Sequence, residues 1–172
     1  YSKNVFPLPF GYPLEYAPRT YQPQRKRPLF WAGHRMFGFR RLYLEYVERT
    51  FQVRLDQTFP PNQYARELDE SLIALCFFGF GFDTVRYWEA PAHGCMLLAE
   101  RPPIEIPNNF EDGESAVFFD DLPDLEDKLR FYLSRPDEVN RIAENGFEHY
   151  RLFHTGRARA KYLLECLEKV LG

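Results

Sequence analysis

From residue 29 onward, short apolar runs alternate with segments whose apolar residues recur every three or four positions, the pattern of strands joined by crossover helices. Residues 29–32, Leu-Phe-Trp-Ala, read as a buried strand ending at Gly33. Phe39, Leu42, Tyr43, Tyr46, Val47 and Thr50 then repeat at helical spacing. Residues 52–55 read as a second short strand and residues 62–69 as a helix that Asn62 would cap. Residues 72–78 form a third strand, continuous and apolar enough to be covered on both faces. A glycine-punctuated loop over 79–84 leads into a helix that Gly94 stops, and a strand follows over 95–99. A proline-rich loop, 101–109, precedes a last short strand at 116–119.

Three helices close the chain. Leu122, Leu125, Leu129 and Leu133 stripe the first. Val139, Ile142, Ala143, Phe147 and Tyr150 stripe the second, which has Pro136 in its first turn. Ala160, Leu163, Leu164, Leu167 and Leu171 stripe the third. The pattern predicts an α/β fold: a Rossmann-like, doubly wound parallel sheet with a helical carboxyl-terminal tail. In such sheets ligands bind outside the carboxyl ends of the strands, which directs attention to the loops after Ala32, Phe78 and Ala99.

Residues 1–28 are different. Prolines at 7, 9, 13, 18, 23 and 28 forbid a regular helix, while Phe6, Phe10, Tyr12 and Tyr16 are too many for a free linker. The segment reads as a connecting arm lying on a surface, ahead of a domain spanning 29–172. Arg25-Lys26-Arg27 reads as a solvated turn before the first strand.

With 172 residues, 45% of them hydrophobic, there is material for one globular core. The first residue is Tyr rather than Met, which reads as a cut from a longer protein. A net charge of -3 disfavours a nucleic-acid partner held through its phosphates. Cys76, Cys95 and Cys166 are odd in number and form no metal or redox motif, so they read as buried thiols in a reducing compartment. No transmembrane-length apolar run or signal-peptide pattern is present, and the expected location is cytoplasmic.

The loop after the third strand opens a helix whose first turn holds Thr84, Val85 and Arg86. Free backbone donors, the positive end of the dipole and a guanidinium converge there, a favourable place for an anion. Glu89 lies nearly one turn beyond Arg86, where a carboxylate suits paired hydroxyls such as those of a ribose. The same spacing also suits a plain helix ion pair between the two, and spacing leaves both readings open. Pro91 should shorten or kink this helix.

In the first loop Gly33 allows close backbone approach, and His34 and Arg35 are potential phosphate donors, although Gly-His-Arg is also an ordinary turn. The loop lacks the glycine spacing of a dinucleotide fingerprint. Arg40 and Arg41 read as solvated helix residues within reach of the same mouth. Asp120, Asp121 and Asp124 stand just before a helix and read as caps rather than metal ligands. His93, His149 and His154 lack ligand spacing, so no metal is expected. Serine-elbow, cysteine–histidine and P-loop signatures are absent from the sequence.

Residues 86–94, Arg-Tyr-Trp-Glu-Ala-Pro-Ala-His-Gly, resemble the Glu-Ala-x-Ala-x-Gly helix in the carboxyl-terminal domain of GT-B glycosyltransferases. More narrowly, the chain resembles the CgeB/YkvP-like group. The resemblance extends over residues 30–33 with the arginine-bearing helix after them, over 110–117, and over 125–133. Pro136-Asp137-Glu138, Ile142-Ala143 with Gly146, and His154-Thr155 with Arg159 continue it.

The resemblance implies a domain that binds a nucleotide-diphosphate sugar for transfer to an unspecified acceptor, with no cofactor or bound metal. It also implies an amino-terminal GT-B partner domain, without which the isolated chain would be inactive. The glutamate matching Glu89 would contact the ribose, and the loop matching Gly33 to Arg35 would face the diphosphate. One position departs from the pattern: retaining enzymes often carry a second glutamate eight residues earlier, and here that residue is Gly81, with Asp83 displaced from it. The rival expectation is a non-catalytic nucleotide-sensing or protein-interaction module on the same fold.

Overall fold

A computed structural model describes residues 5–55 and 58–171. Its strands are β1 (Arg27–Phe30), β2 (Ser71–Cys76), β3 (Met96–Glu100) and β4 (Val117–Phe119). They pair in the order β1-β2-β3-β4, every pair parallel. Helices α1 (Arg40–Phe51), α2 (Pro61–Asp69) and α3 (Val85–Ala92) lie between the strands in sequence, and α4 (Leu122–Leu133), α5 (Pro136–Phe153) and α6 (Gly156–Leu171) follow them.

Period-two alternation splits the strands between two cores. Leu29, Ile73, Leu75, Met96, Leu98 and Val117 meet α1, α4 and the first half of α5 through Leu44, Val47, Leu125, Leu129 and Ile142. Phe30, Ala74, Cys76, Leu97 and Phe118 meet Leu68 of α2, Tyr87 and Trp88 of α3, and Tyr150 of α5 on the other face. Helices therefore cover both faces, as a doubly wound α/β fold requires. Each large side chain so buried contributes about 1.5–3 kcal/mol, which is why the apolar runs of β2 and β3 are uninterrupted. Because all strands run one way, their carboxyl ends open on a single edge.

The second predicted strand does not form. Gln52 ends α1 in the left-handed region at φ 53°, and no ladder pairing involves residues 53–55. The Leu55 N–H is bonded to the Glu48 carboxylate at 3.0 Å, which ties this segment back to α1 while its side chain still enters the core. The α2 cap also differs: Pro61 occupies the first helical turn and Asn62 lies inside the helix, its side-chain oxygen on the Gln63 N–H. Strands β1 and β2 stop at Phe30 and Cys76, leaving Trp31, Ala32 and Phe77 buried beyond the ladder.

Residues 5–26 lie against the domain. The Tyr12 N–H donates to His154 O at 3.2 Å, and the Tyr150 hydroxyl to Tyr12 O at 3.0 Å. Further along, the Tyr21 hydroxyl donates to Asn140 O. Arg25 is no solvated turn residue: it donates to the carbonyls of Asp69, Ser71 and His93 at 3.0, 3.0 and 2.8 Å. It thereby satisfies carbonyls where α2 and α3 end and β2 begins.

Helix α3 closes with the paired bonds of a Schellman turn, Cys95 N–H to Ala90 O and Gly94 N–H to Pro91 O, both 2.9 Å. Gly94 supplies the positive φ of 71°. Pro91 falls in the last turn and limits the helix to eight residues. No helix among the described residues is long and apolar enough to cross a membrane.

Candidate functional site

At the carboxyl edge the chain leaves β1 through Trp31 and Ala32 and turns at Gly33, whose φ of 137° favours glycine. Arg86, in the first turn of α3, reaches across to this turn. Its guanidinium donates to Ala32 O and lies over the Trp31 ring, 5.4 Å from the centroid. A Cβ on Gly33 would stand 3.4 Å from Arg86 Nη2. Arg86 Nε and the Trp31 indole N–H are buried and have no hydrogen-bond partner among the described residues.

Among the described residues no ion pair joins Arg86 to Glu89, so the plain helix pair does not form. Glu89, half-buried one turn further on, accepts a hydrogen bond from the Tyr64 hydroxyl at 2.8 Å. Tyr64 comes from α2 and packs edge-on against Phe30, 5.4 Å between centroids. Burial raises the Tyr64 hydroxyl well above its ordinary range, so it stays a donor and leaves Glu89 as the acceptor. Tyr64 was not singled out from the sequence. The available signal was a lone polar-tipped aromatic one helical turn before the buried Leu68, on a helix whose other residues are mostly polar.

Thr84 precedes α3 without capping it: its hydroxyl pairs with Cys76 Sγ at 3.1 Å. His34 is exposed, with its ring edge-on to Phe37. Arg35 turns away to α1 and forms an ion pair with Glu48 at 2.5 Å. Gly33, Thr84, Arg86 and Glu89 thus line one side of the edge, with His34 at its rim and the Arg35 charge neutralised.

Arg40 replaces Arg35 near the mouth. It is half-buried and donates to Phe77 O at 3.0 Å and to His34 O at 3.3 Å, joining the loops after β1 and β2. Gly79 makes room, since a Cβ there would fall 2.8 Å from Arg40 Nη2. Burial first, and then the neighbouring Arg86 charge, hold the Arg40 guanidinium below its usual range. Arg41 keeps the solvated role, paired on the surface with Glu45. Glu100, at the end of β3, accepts the Phe78 N–H, and burial raises its carboxyl.

Both oxygens of Asp83 are occupied at 2.7 Å, one by the Trp88 indole N–H and the other by the Phe10 N–H. The aspartates before α4 also have partners. Asp121 caps the Asp124 N–H at 2.9 Å, Asp124 pairs with Lys128, and Asp120 with Arg101. His93 is held between Asp69 and Tyr12, and His149 binds Asn108 O. His154 Nδ1 faces Arg159 at 2.8 Å. All three cysteines are buried and unpaired, and burial pushes the Cys95 thiol up to about 12.

In a doubly wound parallel sheet ligands bind outside the carboxyl edge, and here that edge carries a guanidinium, a glycine turn and a hydroxyl-anchored carboxylate. The glycosyl transferase-like family model matches residues 25–165, and the chain belongs to that family. Its fold is that of the carboxyl-terminal domain of a glycosyl transferase group 1 family protein from Francisella tularensis. The match has a TM-score of 0.62 at 16% identity and covers 85% of this chain and 100% of that one. A glycosyltransferase from Rickettsia africae matches with a TM-score of 0.63 and 12% identity over 95% of this chain and 56% of its own. An alpha-glucosyltransferase, solved with UDP-glucose and DNA containing an abasic site, matches with a TM-score of 0.52 at 9% identity. That match covers 84% of this chain and 44% of the other, so the chain spans about half the length of these two transferases. No curated protein matches the sequence.

Proposed function

We propose that the chain is the donor-binding domain of a GT-B enzyme, close to the CgeB-like group, that transfers a sugar from a nucleotide diphosphate to an acceptor held by an amino-terminal partner domain. The observation that carries this reading is the convergence of Arg86, Gly33 and the Tyr64–Glu89 pair on one edge. Tyr64 occupies one carboxylate oxygen of Glu89 and fixes its orientation, leaving the other for paired ribose hydroxyls. Arg86 is a like charge close enough to Arg40 to add to the effect of burial in lowering its pKa. A diphosphate at the Gly33 turn relieves that repulsion.

In the transition state the departing nucleotide gains negative charge, which preorganised guanidinium groups and the start of α3 at Thr84 stabilise. His34 at the rim reaches the outer phosphate, while Arg35 acts through its hold on α1. No step in this reading uses a metal, and the setting is cytoplasmic.

The occupied state of Asp83 and the glycine at position 81 favour a second reading, a donor-sensing module without transfer chemistry. The two differ in sugar transfer when the native neighbouring domain is present. Titration of the chain with uridine, guanosine, thymidine and cytidine diphosphates, followed by thermal shift and NMR, tests the shared core of both readings. One of the four should raise Tm in a concentration-dependent way. Binding by none refutes the assignment.

A further inference from the structure

The arm is gripped at a single residue from both sides. The Phe10 N–H donates to Asp83 Oδ2 at 2.7 Å, and Phe10 O accepts from Arg159 Nε at 3.2 Å. The Phe10 side chain remains 58% exposed, so the peptide rather than the ring is held. Gly11 follows in close approach: a Cβ there would stand 2.7 Å from His154 O and 3.2 Å from Arg159 Cγ.

Both grips converge on Trp88 of α3. Its indole N–H donates to Asp83 Oδ1 at 2.7 Å, and the Arg159 guanidinium lies over its ring, 4.9 Å from the centroid. Arg159 is 7% exposed and is fixed further by Pro107 O and His154 Nδ1, so it moves little on its own. Asp83 and Arg159 attract one another, closing a ring of Asp83, Phe10, Arg159 and Trp88.

Helix α3 needs such support. It has eight residues, no side-chain cap at its start and a proline in its last turn, so its own hydrogen bonds hold it weakly. It also carries Arg86 and Glu89, on either side of Trp88.

We propose that residues 9–11 form a strap for α3, with Asp83 and Arg159 as positioning residues through which the arm sets the placement of Arg86 and Glu89. Its effect on ligand binding rests on the donor reading above, whereas the mechanical coupling does not. Whatever displaces the arm then weakens the donor edge from the far side of α3.

The chain contains two tryptophans, and their indole N–H signals in a 1H–15N spectrum separate the local event from its transmission. Trp88 shares Asp83 and Arg159 with the strap, whereas Trp31 is tied to α3 through Arg86. Phe10→Pro removes the gripped N–H, while Phe10→Ala keeps it and serves as the control. With Phe10→Pro both indole signals should shift by more than a linewidth, and nucleoside diphosphate affinity should fall about fivefold. Phe10→Ala should change neither.

Asp83→Asn supplies the same test if the proline variant does not fold. It keeps an acceptor for the Trp88 indole but turns an amide toward Phe10. A Trp31 signal that stays in place while Trp88 moves overturns the strap. If the wild-type chain binds none of the nucleotides, the donor reading fails, and the Trp31 signal still decides the coupling.

Discussion

Lowering the pH should unfold this protein through His154 before its carboxylates matter. The ring is fully buried against Trp88 and Phe110, and its Nε2 has no hydrogen-bond partner among the described residues. Burial first, then the Arg159 charge 2.8 Å from Nδ1, lower its pKa from 6.5 to about 2. The unfolded chain takes up a proton below about pH 6.5 and the folded chain does not, so stability present above that pH is lost as pH falls toward 2. The limiting slope is about 1.4 kcal/mol per pH unit, which gives a loss of about 2 kcal/mol between pH 8 and pH 5.

Glu70 and Glu138, held below the usual carboxylate value by arginine partners, and Glu126, held there first by the Tyr46 hydroxyl and then by Arg130, act with the same sign but at lower pH. Glu100, raised by burial, acts with the opposite sign. Comparison with His154→Asn isolates the histidine. The variant keeps an acceptor for Arg159, loses ring packing at every pH, and cannot take up the proton. Urea unfolding at pH 8, 6.5 and 5 should show the wild type losing about 2 kcal/mol more than the variant across the range. Equal losses would refute the buried neutral histidine.

Gly146→Ala should destabilise the protein by about 2 kcal/mol or more, because the new Cβ would lie 2.5 Å from the backbone oxygen of Ser115; an unchanged urea midpoint would show that the two elements are not so closely packed. Arg25→Met should cost about 2–3 kcal/mol by leaving the carbonyls of Asp69, Ser71 and His93 short of a donor. Arg25→Lys should restore little of that in the same unfolding assay, since one ammonium cannot reproduce the fork. Tyr64→Phe should weaken nucleoside diphosphate binding by about three- to tenfold with a near-normal Tm, and an unchanged affinity would remove Tyr64 from the site.

Continuous apolar runs at 72–78 and 95–99 and helical stripes from Leu122 onward are enough to read the two-faced sheet and its tail, because burial on both faces leaves no polar positions in such strands. Residues 52–55 misled because apolar alternation says nothing of where a backbone N–H goes, and Glu48 had already taken that of Leu55. Arg25, Arg35 and Arg40 were assigned in the sequence by position, and the structure redistributed them. Arg25 and Arg40 turned inward to carbonyls, and Arg35 found a carboxylate thirteen residues away. Long arginine side chains choose partners across elements, and no periodicity records that choice. Glu89 was legible as a carboxylate one turn beyond Arg86, but its partner Tyr64 lies on another helix, 25 residues earlier.

Glu89 as the ribose acceptor is the center of the account, and a double-mutant cycle tests it directly. The affinity of the preferred nucleoside diphosphate is compared with that of its 2′,3′-dideoxy counterpart, in the wild type and in Glu89→Ala. The wild type should favour the hydroxylated ligand by about tenfold or more, as hydrogen bonds to a fixed carboxylate require. Glu89→Ala should bind both equally and lose no more stability than the Tyr64 hydrogen bond supplies, about 1 kcal/mol. A variant that retains the wild-type preference would place the ribose elsewhere and contradict the account.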